Sequence, residues 1–181
     1  MNIIIYGLVI FICICFIVLW YISIYNRFQD YIIRINEVEA SIDSTLRKRF
    51  DLLNKSINII KSNTEVKDDL YSEIIKLRSK KITNFELDRK LYDGINEFYK
   101  YKELYPNLKK CEDFVKIELS INESEAEIVA ERKYYNDIIT DYNKIARTFP
   151  ANIVASFCGY KQKTYFDGKN MNDNDIKDFK L

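Results

Sequence analysis

Phe114, Ile121, Ile128, Tyr135, Tyr142 and Phe149 recur at a strict seven-residue step, and Ile117, Ile138 and Ile145 fill much of the neighbouring line. Seven residues are close to two helical turns. These side chains therefore stack along one stripe, and a helix held to this repeat drifts into a left-handed supercoil with its partners. From about Leu108 to Phe149 such a helix would run roughly 60 Å, too long to bury its stripe against anything but other long helices. The remainder of the chain has to supply them.

It does so on both sides of a short middle region. Phe28, Ile32, Ile35, Val38, Ile42, Leu46, Phe50, Leu53, Ile57 and Ile60 advance by three or four and predict a long amphipathic helix to about Ser62. Ser62-Asn63-Thr64 offers an N-cap to a shorter helix with the face Val66, Leu70, Ile74 and Leu77. A further helix is predicted from about Asn84 to Leu104 on Leu87, Leu91, Ile95 and Phe98, until Tyr105-Pro106 breaks it. Pro150 stops the long helix, and with two prolines and four glycines in the whole chain an all-β fold has too few turn residues.

Ahead of this lies Ile3 to Ile22, a run without one charged side chain that closes on Trp20 and Tyr21. It has the length needed to cross a bilayer, with aromatics where an interfacial belt would lie. A secretory signal peptide would want a basic start, a shorter apolar core and a small-x-small cleavage site, none of which is present. The first basic residues, Arg27 and Arg34, then Arg47, Lys48 and Arg49, all follow the run. The positive-inside rule therefore places the N-terminus outside and the helical part in the cytoplasm of a single-pass cell-membrane protein.

The chain contains no histidine, which removes Cys-His and Ser-His nucleophilic pairs and histidine metal sites. Cys13 and Cys15 lie in the apolar run, Cys111 and Cys158 are isolated, and the four read as structural thiols in a reducing compartment. Twenty-eight basic residues face 27 acidic ones, a net charge of +1, and the one basic cluster, Arg47 to Arg49, is offset by Asp43 and Asp51. A nucleic-acid partner is therefore not expected.

With these blocks in place the chain resembles the LemA family of bacterial membrane proteins, from Tyr25 to Phe166. The resemblance rests on Tyr25-Asn26; on Ile42-Asp43 with Leu46, Arg49, Asp51 and Leu52; on Glu103-Leu104-Tyr105-Pro106-Asn107-Leu108-Lys109 leading to Phe114; and on Glu125, Ile128, Arg132, Tyr135-Asn136, Asp141-Tyr142-Asn143, Phe149-Pro150, Asn152 and Gly159. It implies an N-terminal transmembrane anchor and a bundle of long helices, in a family without an established biochemical activity, some of whose relatives take part in magnetosome membrane formation. The family usually has proline and asparagine where this chain has Asn54 and Lys55, and asparagine in place of Ala126.

The charges that stand out are Asp43, Arg49, Asp51, Glu125 and Arg132. Arg49 falls on the seven-residue line of Phe28, Ile35 and Ile42, pointing toward the seam, while Glu125 and Arg132 border the Phe114 stripe two turns apart and need partners on other helices. Solvated helical charges, cross-helix ion pairs that fix register, and acid/base or metal chemistry are the three roles open to them. The dipeptides Tyr135-Asn136 and Tyr142-Asn143 suggest either a recognition motif or core tyrosines with polar tips beside locally bonded asparagines.

The expected fold class is thus all-α: an N-terminal transmembrane helix (residues 1–26), an antiparallel bundle of long helices (27–150), an apolar segment (151–166) that caps the bundle or meets lipid, and a disordered tail (167–181). The expected function is a membrane-anchored, non-catalytic scaffold or adaptor with no cofactor or metal and with the lipid bilayer as one partner. A membrane-tethered hydrolase or metal enzyme and a lipid-organising envelope protein are the alternatives. Protein partners and oligomeric state are not legible.

Overall fold

The computed structural model describes residues 2–65 and 83–166. Its elements among these residues are four α-helices, α1 (Asn2–Asn63), α2 (Asn84–Leu104), α3 (Glu112–Arg147) and α4 (Ala151–Cys158), with a 3-10 helix at Pro106–Lys110. The all-α expectation holds. The helix predicted on Val66, Leu70, Ile74 and Leu77 and the tail expected from Asp167 lie outside the described residues.

Three boundaries differ from those predicted. The apolar run and the amphipathic stretch after it form one uninterrupted helix, since neither glycine nor proline falls between Leu8 and Asn63. The long third helix begins at Glu112 rather than near Leu108. Pro106 opens a tighter turn in which Leu108 N–H donates to Tyr105 O at 3.0 Å and Cys111 N–H to Leu108 O at 3.1 Å, and this turn drives Leu108 fully into the core. At its other end α3 stops at Arg147, so Phe149 leaves the stripe and is 79% exposed.

The chain divides into two compact units. The second comprises the described residues of Val38–Tyr134 together with Phe166. In it α3 runs antiparallel to α1: Asn63 meets Cys111, Arg49 meets Glu125, Lys48 meets Glu127 and Ser41 meets Glu131. It is also antiparallel to α2, where Lys102 meets Glu118, Tyr99 donates to Asn122 Oδ1 at 2.6 Å, and Asp88 meets Arg132. Helices α1 and α2 are therefore parallel here. Val38, Ile42, Leu46, Leu53, Ile57, Ile60, Leu91, Ile95, Phe98, Phe114, Ile121 and Ile128 form the core, with the Phe98 and Phe114 rings stacked at 4.5 Å. Each such side chain stabilises the fold by roughly 1.5–3 kcal/mol on burial. Helix α2 starts where the sequence provides a cap: Thr83 Oγ1 accepts from Glu86 N–H at 3.2 Å, in the Thr-x-x-Glu spacing of a capping box.

The first unit holds residues up to Glu37 and Tyr135–Tyr165. Phe28 is fully buried between Tyr142, edge-on at 5.8 Å, and Tyr160 at 4.7 Å, while Gln29 donates to Tyr160 Oη at 2.7 Å. Helix α4 ends at Gly159, whose φ of +72° carries the chain into the left-handed region. Gly159 N–H then bonds Ser156 O at 3.3 Å and Tyr160 N–H bonds Ala155 O at 2.9 Å, the paired bonds of a Schellman stop. That reversal turns the Tyr160 ring onto α1. From Ile3 to Trp20 every residue of α1 is exposed, and this stretch is long and apolar enough to cross a membrane.

Candidate functional site

In the second unit, two of the singled-out charges meet a carboxylate that sequence reasoning missed. Arg49 is wholly buried, yet its guanidinium reaches two partners: Nη1 donates to Asp88 Oδ1 at 3.3 Å and Nη2 to Glu125 Oε2 at 2.6 Å. Asp88, equally buried on α2, turns its other oxygen to Arg132 Nη2 on α3. Glu125 and Arg132 thus find partners on other helices, as two turns of separation along α3 require. The Arg132 guanidinium also sits 5.6 Å from the centre of the Phe166 ring, which packs edge-on against Phe85 at 6.0 Å. Two guanidinium and two carboxylate groups on three helices form one continuous chain of ion pairs, Glu125–Arg49–Asp88–Arg132, with an aromatic ring over the Arg132 end.

The electrostatics of such a cluster oppose one another. Burial pushes the Arg49 guanidinium below its ordinary pKa, while Glu125 and Asp88 pull it back up. Its charge is sustained by those two carboxylates, and removing one member strands the rest in a poorly solvated place. Nearby, Ser41 Oγ and Thr45 Oγ1 both donate to Glu131 Oε1 at 2.5 and 3.1 Å, and Lys48 bridges both oxygens of Glu127 at 3.0 Å. These fix the same α1–α3 register at the rim.

The sequence contained a signal for Asp88. Leu91, Ile95 and Phe98 step by four and three, and extending the step by three toward the N-terminus lands on Asp88, whereas Leu87 is only half-buried. Arg49 in an apolar line demanded a carboxylate on a facing helix, and Asp88 is the acid in the core position of α2. Phe166 could not be found by periodicity, because it lies beyond the last helix.

Asp43 and Asp51 do not join the cluster. Asp43 pairs with Arg47 one turn along at 2.8 Å in a solvent-exposed contact, and Asp51 is exposed. In the first unit, Tyr142 is a core residue with a bonded tip: its ring is buried, its hydroxyl donates to Lys161 O at 3.0 Å, and burial raises its pKa. Asn143 does not bond locally. Its amide clasps a strand of chain 20 residues on, with Nδ2 donating to Lys163 O at 2.8 Å and Oδ1 accepting from Lys163 N–H at 2.9 Å. Tyr135 and Asn136 are half-buried, and Asn136 O accepts from Thr140 Oγ1 at 2.8 Å. Among the described residues no group of three or more acidic or cysteine side chains is placed to hold a metal ion.

A profile of the LemA family matches residues 38–177, more than three-quarters of the chain. The chain belongs to the LemA family. All four ion-paired residues, Tyr142, Asn143 and α4 lie within the matched stretch. The apolar start of α1 lies ahead of that stretch and stands on its own physical character. No curated protein matches the chain.

Proposed function

We propose that this LemA protein is a single-pass membrane protein whose helical part serves on the cytoplasmic side as a rigid, non-catalytic adaptor. One observation carries the reading: from Ile3 to Trp20 no residue of α1 is covered and none is charged. Each isoleucine, leucine, valine or phenylalanine left in water forgoes roughly 1.5–3 kcal/mol of transfer free energy, and a run of this length matches the roughly 30 Å hydrocarbon core of a bilayer. Lipid is the solvent that removes the cost. Arg27 and Arg34 just after the run support retention of that side in the cytoplasm.

The adaptor role is favoured by the use to which the buried charges are put. Arg49, Asp88, Glu125 and Arg132 engage one another across three helices, a device that fixes register. A stiff surface remains for partners, on which α3 exposes Leu119 and Val129. Photo-crosslinking from those two positions, in the full-length protein within its membrane, tests this. Discrete protein adducts, reproduced from both sites, are expected. Lipid adducts alone would replace the adaptor with a lipid-organising role, and a nucleotide or metal retained stoichiometrically through purification would replace it with an enzyme.

A further inference from the structure

Helix α4 has two faces of different character. Ala151, Val154 and Ala155 are buried, with Cys158 half-buried one turn on, the spacing of a helix face laid on its own unit. The opposite side presents Ile153 at 55% and Phe157 at 86% exposure, one turn apart, and Phe149 just before the helix extends the ridge. Asn152 and Ser156 complete a shallow open hollow beside them. No charged residue occurs from Thr148 to Tyr160, whereas exposed Arg147 and Lys161 stand at the two ends.

The height of this ridge along α1 is fixed by contacts within the first unit. Tyr21 Oη lies 3.2 Å from Cys158 Sγ, and the Tyr25 and Tyr160 rings are 6.4 Å apart. The last turn of α4 is therefore level with Trp20 and Tyr21, where the apolar run ends. If that run crosses a bilayer, its closing aromatics sit among the headgroups, and α4 sits there with them. A bulky apolar ridge held at that depth, flanked by cations able to meet lipid phosphates, has the make-up of an interfacial helix. Tyr142 and Asn143 hold the chain after it, through Lys161 O and the Lys163 backbone, so the ridge is presented from a fixed base.

We infer that Phe149, Ile153 and Phe157 form a second membrane contact, seated in the headgroup and upper acyl region of the same leaflet from which α1 emerges. This rests on the reading of α1 as a membrane span. The occupant is the bilayer rather than a protein, because the ridge is tied by Tyr21 and Cys158 to the level where lipid begins.

The full-length protein reconstituted in phosphatidylcholine–phosphatidylglycerol vesicles tests it, using tryptophan fluorescence with lipids brominated near the headgroup. Trp20, the sole natural tryptophan, reports the span. Phe157→Trp in a Trp20→Phe background reports the ridge. Quenching of the Phe157→Trp signal by about half or more, together with shielding from aqueous iodide, is expected of an aromatic at headgroup depth. Trp20 quenched while the Phe157→Trp protein stays unquenched and open to iodide overturns the ridge and leaves the span standing. Shielding from iodide without bromine quenching would also overturn it, since protein would then cover the face. An unquenched Trp20 overturns both. Circular dichroism matching the parent protein establishes that the variant is folded, and Ile153→Trp in the same background provides a second reporter with the same expected quenching.

Discussion

Replacing Asp88 with asparagine is the sharpest perturbation of the three-helix ion-pair cluster. The change keeps the shape of a fully buried side chain and deletes its charge, leaving Arg49 with Glu125 alone and Arg132 without a carboxylate among its described contacts. Breaking a buried pair from one side costs about 3–5 kcal/mol, because the remaining ion stays desolvated. For a fold of this size that corresponds to a fall in Tm of about 6–20 °C. Adding Arg132→Met to Asp88→Asn removes the stranded cation, and the double variant should recover about 0.5–3 kcal/mol relative to the sum of the two single changes. Thermal unfolding of the full-length protein in detergent, followed by circular dichroism, measures all three, with Asp51→Asn as the exposed control expected within about 0.5 kcal/mol of the parent. An Asp88→Asn protein as stable as the Asp51→Asn control, or additive single changes, would refute the cluster as a register device.

Other consequences attach to single residues elsewhere in the chain. Asn143→Ala removes both bonds to the Lys163 backbone and should cost about 1–2 kcal/mol, with faster hydrogen exchange at the Lys163 amide as the direct readout. Gly159→Ala should cost about 1–2 kcal/mol from backbone strain alone, as a Cβ there meets nothing within 4 Å while φ is +72°; thermal unfolding measures it. Cys111 and Cys158 should resist a membrane-impermeant thiol reagent in intact cells and react after lysis or unfolding, and labelling without permeabilisation would reverse the proposed orientation.

The framework was legible because burial acts with helical periodicity. The seven-residue line through Phe114 and Tyr142 and the line through Phe28, Ile42 and Arg49 describe facing helices, and the start of α2 near Asn84 followed from the step of Leu87, Leu91, Ile95 and Phe98, whereas its Thr83 cap was not singled out. Periodicity carries no information about where a helix stops when the last residue happens to match, which is why Phe149 was placed on the stripe although the chain turns after Arg147. Nor does it report tertiary bonds made by irregular chain. The grip of Asn143 on Lys163 follows the reversal at Gly159, and the placement of Phe166 over Arg132 is made by a residue beyond the last helix, so neither leaves a periodic trace. Asp88 lies between these cases, since its position was readable but its polarity hid it from a search for apolar faces.

Alkaline carbonate extraction of membranes tests the anchor itself. The full-length protein should remain in the membrane pellet at high pH, and deletion of residues 2–22 should release it to the supernatant with its helical circular dichroism retained, because the exposed apolar start of α1 supplies the hold while the core residues lie after it. Recovery of the full-length protein in the supernatant, or retention of the shortened one in the pellet, would contradict a transmembrane α1.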